Sequence, residues 1–326
     1  MLDPHIAGCQ ATSIKVGAFP SQVFRVALAY DEGHAGVASV ILKAIAPTWP
    51  GDPHGPDREP FFYAELRQRL GLAGPHVYHV GLDPETQVRL IIMEDLSPRY
   101  SFPPPTHVWT NEEARCMLRA YARLHARGRA CLPRDHQRDR LMPRWEARFD
   151  DERLPAMAAD LAAWGLWPSL PRLGELLERT RARVAKLGGY AVTLLHNDIY
   201  PPNAGLPPDL SQEAALIDWG MLSWGWAELD LAYIFIQPFR AGRAIDRRAA
   251  LGAYWAQREA LEGERWPLEQ QLDIQGVADA VLALALVPVA HSRATAPFPQ
   301  GSAPATYWAA MHGVLAERLA ELCQAL

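Results

Sequence analysis

One stretch constrains this chain more than any other, LLHNDIYPPNAGLPPDLSQEAALIDWG from Leu194 to Gly220. Two short apolar runs mark it, Val192–Leu195 at its start and Ala214–Ile217 within it, the first leading into His196 and the second into Asp218. Apolar runs of this length, bounded by turn residues, read as short buried strands. Pro201, Pro202, Pro207 and Pro208 stand between them and exclude a helix, because each lacks an N–H and its ring clashes with the preceding turn. The segment therefore reads as a rigid loop joining neighbouring strands. Two aspartates, Asp198 and Asp218, and one asparagine, Asn203, come out at the strand mouths.

Phosphoryl transfer uses such a set. One carboxylate accepts or orients the proton of an attacking hydroxyl, while a second carboxylate and an amide oxygen hold magnesium against nucleotide phosphates. Asp198 fits the first role, and Asn203 with Asp218 fits the second. Each half of the pattern is weak alone, because Asp and Asn also favour turns through bonds to their own backbone. The same residues allow a metal-dependent hydrolase in which His196, Asp198 and Asp218 ligate a transition metal. No second histidine lies near in sequence to complete that set.

The order of the two motifs resembles the kinase catalytic loop and the metal-binding aspartate that follows it. Here the loop begins His-Asn-Asp rather than His-Arg-Asp, and the second motif is Asp-Trp-Gly rather than Asp-Phe-Gly. This variation is similar to the aminoglycoside phosphotransferase family of small-molecule kinases, related to the choline kinases. The family's usual loop is His-Gly-Asp, so Asn197 stands where glycine is usual. The resemblance runs from Val37 to Tyr233 and implies an α+β, two-lobed, protein-kinase-like fold. Residues 1–96 would form an N-terminal lobe, a five-stranded antiparallel sheet with one helix. Residues 97–106 would be the linker, and 107–326 a mainly helical lobe with the catalytic loop and substrate pocket. The resemblance further implies ATP or GTP as donor, Mg2+ as cofactor, and a hydroxyl of a small metabolite or antibiotic as acceptor. Asp198 would be the base, with His196 bracing the loop. The alternative on this fold is a nucleotide- or ligand-binding protein without catalysis.

Ahead of the central stretch, Val23–Ala29 and Val37–Ile45 read as strands. Their connection, Tyr30–Gly36, is turn-like and holds Gly33 and Gly36; it suits a surface hairpin or a backbone laid over phosphates. Lys43 closes the second strand, and a buried ammonium there needs a partner unless its stem snorkels. In kinase-like proteins such a lysine grips the phosphates and is held by a helix glutamate. A helix with Asp57 as cap, Glu59–Leu70 as body and Gly71 as stop follows. Glu59 matches the family's glutamate, with Glu65 in reserve. The intervening Pro47–Pro56 loop reads as a flexible surface excursion without chemistry.

A hairpin follows, Val77–Val80 and Val88–Met93 around a turn at Asp83–Thr86. From the residues alone it ends in solvated acids. The resemblance makes Met93, Glu94 and Asp95 the hinge, whose backbone reads the adenine edge, with Ile92 and Met93 lining the pocket. Ser97–Thr106, with four prolines, suits a linker.

Beyond it, Thr110 and Glu113 form a capping box for a helix to about Gly128. Met117, Leu118, Tyr121 and Leu124 recur on one face, and His125 reads as a packed or surface residue. Arg134–Arg153 reads as a solvated helix or loop. Trp164–Trp167 leads to a helix over Arg172–Leu187, stopped by Gly188–Gly189. After Gly220 a helix begins at once. That leaves no room for a long activation segment and argues against protein substrates. Asp230 in this helix matches the family aspartate that supports the catalytic loop. Three more helices are expected at about 244–262, 268–287 and 304–325. They carry Trp255, Trp266, Trp308 and His291, and the family builds its substrate pocket from such late helices.

Net charge is -5, which gives no reason to expect nucleic acid or an acidic membrane surface as partner. Cys9, Cys116, Cys131 and Cys323 form no C-x-x-C pair, so a disulfide framework or zinc site is not expected and a reducing cytoplasm is. The first residues lack the basic and apolar regions of a secretory signal. The longest apolar run, Val277–Ala290, is broken by Asp279 and Pro288 and reads as a buried helix, too short to span a bilayer.

Overall fold

The computed structural model describes residues 5–14, 21–49, 52–132, 192–236, 245–263, 267–294 and 309–317, with isolated positions elsewhere. The readings made for Arg134–Arg153, Trp164–Trp167, Gly188–Gly189, Trp266, Trp308 and the His291 side chain lie outside the described residues, as does most of Arg172–Leu187.

The N-terminal lobe is a five-stranded antiparallel sheet of β1 (Ile6–Ser13), β2 (Ser21–Tyr30), β3 (Ser39–Ile45), β4 (Val77–Leu82) and β5 (Arg89–Glu94), ordered β1-β2-β3-β5-β4. The inner strands β3 and β5 bury Val40, Ile45, Ile91 and Met93. The edge strand β1 exposes nearly every residue. It therefore lacks the hydrophobic alternation by which the other four strands are recognised.

Among the described residues the single helix of this lobe packs on the sheet as α1 (Gly55–Phe61), a π-helical turn (Phe62–Leu66) and α2 (Arg67–Leu70). It begins two residues before the expected cap. His54 occupies the N-cap without a side-chain bond, and Asp57 lies in the first turn, where it accepts from Arg89 Nε at 2.8 Å. Pro56, without an N–H to satisfy, suits that start. The π turn follows Pro60, whose missing N–H interrupts the hydrogen-bond ladder. Gly71 ends the helix at φ 59.

The second lobe is built around α3 (Asn111–Cys131). Thr110 Oγ1 accepts from Glu113 N at 3.2 Å, and Glu113 Oε2 accepts from Thr110 N at 2.8 Å, completing the capping box. The helix runs past Gly128 because that glycine serves packing rather than termination. A Cβ there would lie 2.5 Å from Thr193 Oγ1 and 2.9 Å from Leu194 N. Gly128→Ala is accordingly expected to destabilise the protein by roughly 1–3 kcal/mol through overpacking, although alanine is the better helix former. Urea unfolding tests this, and a stabilised variant would contradict the contact.

Short strands follow: β6 (Thr193–Leu195), β7 (Ala204–Gly205), β8 (Ala215–Leu216) and β9 (Ser223–Gly225). They pair as β6 with β9 and β7 with β8. The two apolar runs expected to be neighbouring strands thus sit in separate ribbons. Helices α4 (Ala227–Ile236), α5 (Arg247–Glu262) and α6 (Leu268–Ala294) follow, α5 packing on α3 and α6 on α4. Among the described residues no helix is long and apolar enough to cross a membrane. The fold is α+β, two-lobed and kinase-like.

Candidate functional site

Lys43 lies where the two lobes meet. On β3 it faces Val23 of β2 and Ile91 of β5 in register, and only 5% of it is exposed. A buried ammonium is tolerated only with partners, and Lys43 Nζ has two: Glu59 Oε2 from α1 and Asp218 Oδ1, the latter at 2.8 Å. Burial, the largest influence, disfavours the charge, but the Asp218 and Glu59 carboxylates outweigh it and hold the Lys43 pKa above its ordinary value. Glu65, one and a half turns on, is exposed and takes no part.

The loop after β6 carries the other polar groups. Asn203 closes a 3₁₀ turn over Pro201–Asn203, and its Nδ2 donates to the Asp198 carbonyl at 3.0 Å and to Asp198 Oδ2 at 2.8 Å. Ile217 N donates to the Asn203 carbonyl at 3.0 Å, so this loop and the residue before Asp218 are bonded directly. His196 makes a second link. Its Nε2 lies 2.9 Å from the Ile217 carbonyl, and its Nδ1 lies 3.3 Å from Asp198 N. Those partners require an Nε2–H tautomer with Nδ1 accepting. Complete burial pushes the His196 pKa down and keeps the ring neutral. The link between the two ribbons is therefore this imidazole, not sheet pairing.

Asn197 adopts φ 58, the left-handed region that glycine occupies freely and asparagine tolerates better than most residues. Its Nδ2 donates to Ser223 Oγ and, at 3.1 Å, to the Met221 carbonyl. Where glycine is usual, this side chain ties the loop to the segment following Asp218. Beneath the loop Asp230, fully buried on α4, accepts His196 N and Asn197 N at 2.8 Å each. It also accepts His125 Nε2 at 3.1 Å, and His125 Nδ1 lies 2.7 Å from Tyr254 Oη. His125 is thus a buried packing residue, its pKa lowered by burial.

Asp218 itself has φ 63 and ψ 75, an unusual backbone for an aspartate, and its side chain is 37% exposed. Trp219 turns inward and stacks on Phe62 at 3.6 Å between ring centroids, with its edge toward His196. Three residues around this turn carried no motif in the sequence: Trp49, Asp52 and Arg58. Arg58, 2% exposed, pairs with Asp52 and donates to the Gly220 carbonyl at 3.4 Å. The Pro47–Pro56 stretch is thus not a detached excursion. An arginine beside the helix glutamate reads as a surface charge until the fold shows that it points inward.

At the end of β5, Met93 is buried and both acids are engaged rather than solvated. Glu94 N donates to the His76 carbonyl at 2.8 Å, and its carboxylate accepts from His76 N at 3.0 Å and Arg99 Nη2 at 2.6 Å. Asp95 accepts from Arg25 Nε at 2.7 Å, Ser39 Oγ at 2.8 Å and Ser97 N at 3.0 Å. Partial burial opposes its ionisation, but the bonds from Ser97, Ser39 and Arg25 prevail and hold its pKa below the usual range. Ser101 and Leu206 exchange backbone bonds of 2.9 and 2.8 Å, fastening this segment to the lower lobe. The Gly33–Gly36 turn lies in a run, 31–38, exposed throughout.

Asn203 and Asp218 offer amide and carboxylate oxygens, the hard donors that suit Mg2+. Among the described residues no group of three or more His, Cys, Asp and Glu is placed to hold a metal ion. Both His196 nitrogens are taken by the protein backbone, so His196, Asp198 and Asp218 do not form the ligand set of a hydrolase.

The fold is shared with solved structures of low sequence identity. A candidate aminoglycoside phosphotransferase from Ralstonia eutropha JMP134 is 14% identical, with a TM-score of 0.66 over 98% of this chain and 95% of that one. An amicoumacin kinase solved with AMP-PNP, Ca2+ and amicoumacin is 13% identical, with a TM-score of 0.60 over 95% and 88%. A Plasmodium vivax ethanolamine kinase is 11% identical, with a TM-score of 0.59 over 94% and 81%. No curated protein matches the sequence. The model of the phosphotransferase enzyme family matches residues 34–267, well over half of the chain. Because that match encloses Lys43, Glu59, the His196–Asn203 loop and Asp218 together, the chain belongs to the phosphotransferase enzyme family.

Proposed function

We propose that the protein transfers the γ-phosphoryl group of ATP or GTP to a hydroxyl of a small molecule, a metabolite or an antibiotic, with Mg2+. The observation that carries this reading is the buried Lys43 between Glu59 and Asp218, with Ile217, adjacent to Asp218, bonded to both His196 and Asn203. A cation anchored in a strand, beside a carboxylate from a helix and one from a loop, suits a polyphosphate and its metal.

In this reading residues 1–96 are the nucleotide lobe, 97–106 the linker and 107–326 the acceptor lobe. Lys43 binds the phosphates and Glu59 holds it in place. The backbone around Met93, Glu94 and Asp95 takes the base, and the bonds of both acids keep that segment rigid. Asn203 and Asp218 would hold magnesium, which when bound neutralises charge on the phosphates. Asp198 accepts the proton of the acceptor hydroxyl as its oxygen forms the bond to phosphorus and the bond to the leaving diphosphate breaks. Asn203 Nδ2 aims the Asp198 carboxylate, and His196, kept neutral, braces the loop. From Asp218 to the start of α4 at Ala227 the chain is short, which favours a small acceptor over a protein. The amicoumacin and ethanolamine kinases sharing the fold support such an acceptor. The free thiols Cys9, Cys116 and Cys131 suit the cytoplasm.

Thermal unfolding with ATP, Mg2+ and both tests the nucleotide site. At about a hundred times its dissociation constant a ligand adds roughly 2.7 kcal/mol. The expected shift requires ATP and Mg2+ together and disappears in Asp218→Ala. No shift with ATP or GTP under any condition would overturn the assignment.

A further inference from the structure

Asp218 holds a backbone conformation that is unfavourable for a non-glycine residue and persists only where its surroundings impose it. Besides Lys43, which bonds the Asp218 side chain, those surroundings include the segment ahead of α1. Arg58, buried at the start of the helix, donates to the Gly220 carbonyl at 3.4 Å and is paired with Asp52. Asp52 is in turn anchored, its N donating to the Trp49 carbonyl at 3.1 Å and its carbonyl accepting from Gly55 N at 3.2 Å. The Trp49 ring lies against both ends of the junction. A Cβ on Gly55 would sit 2.3 Å from its Cε3, and a Cβ on Gly220 would sit 2.8 Å from its Cη2 and 3.6 Å from Asp218 Oδ1. Only residues without a side chain allow the indole to bridge helix and turn in this way.

We infer that Trp49, Asp52 and Arg58 form a clasp that fixes the backbone at Gly220 and so the direction of the Asp218 carboxylate, making them positioning residues for the bound metal. The inference rests on the proposed role of Asp218. The effect of the clasp is to hold a ligand oxygen where it is required before the metal arrives, and loss of such outer partners typically weakens a metal site 10–100-fold.

The test is a Mg2+ titration of the thermal shift given by saturating ATP, for wild type, Trp49→Leu, Asp52→Asn, Arg58→Lys and Asp218→Ala. The half-saturating Mg2+ concentration is expected to rise at least about tenfold in Trp49→Leu and Asp52→Asn, with the full shift regained at high Mg2+. Arg58→Lys, which keeps the charge but not the fork, should fall between them and wild type. That recovery of the full shift is what a general loosening of the fold would not produce. If a single variant fails to fold, Asp52→Asn with Arg58→Met removes the pair without stranding a buried charge. A folded clasp variant with the wild-type Mg2+ midpoint, while Asp218→Ala has lost the response, overturns the clasp alone. A wild type without any Mg2+-dependent shift overturns the metal role of Asp218 and the clasp with it.

Discussion

Asp198→Ala is expected to lower phosphoryl-transfer turnover by roughly 10²–10⁴-fold, the range of a lost general base, while the Mg2+-dependent shift with ATP survives. The separation follows from position. Lys43, Glu59 and Asp218 belong to one connected set, whereas Asp198 is aimed from its own loop by Asn203. ATP turnover with water as acceptor measures the effect before any acceptor is known, and Asp198→Asn controls for shape. Wild-type turnover in either folded variant would remove Asp198 from the base role.

The largest loss of stability is expected from Asp230→Ala. Its buried carboxylate satisfies His196 N, Asn197 N and His125 Nε2 at once. Removing it strands two backbone donors and an imidazole away from water, a mechanism worth about 3–5 kcal/mol when a buried polar partner is deleted. Asp230→Asn keeps an acceptor and the volume, and should lose less. Urea unfolding read by tryptophan fluorescence gives the difference. A midpoint near wild type for Asp230→Ala would show that the loop finds other partners. Because Asn197 holds φ 58 only while its N–H and side chain are bonded, the same variant should also misplace the loop.

Much of this molecule is written in local pattern. Strands β2 to β5 announce themselves by short apolar runs, the capping box at Thr110 by residues three apart, and the helix stop at Gly71 by its glycine. Those signals work because the interactions they report lie within a few residues along the chain. The base and metal candidates were legible for a related reason. Asp198, Asn203 and Asp218 sit on one short, proline-framed stretch, so their chemistry is grouped in sequence before it is grouped in space.

Other features have no local signature. Strand β1 buries almost nothing and owes its existence to pairing with β2, which no hydrophobic period reports. The first helix starts at Gly55 rather than at an Asp57 cap, because Asp57 is claimed by Arg89 from a strand far along the chain. The pairing of β6 with β9 and of β7 with β8 is a choice among short segments of similar character, and β6 is covered by α3 and α4 from elsewhere in the chain.

The sequence by itself determined the element types, the family resemblance and the inventory of ionisable groups, since these depend on residue identity and near-neighbour spacing. Only the tertiary structure decided that Glu59 meets Lys43 while Glu65 faces solvent, that Asn197 reaches Ser223, and that Arg58 points inward to Gly220. A buried charge or a strained backbone is stable only against particular partners. Those partners are brought together by packing across the whole chain.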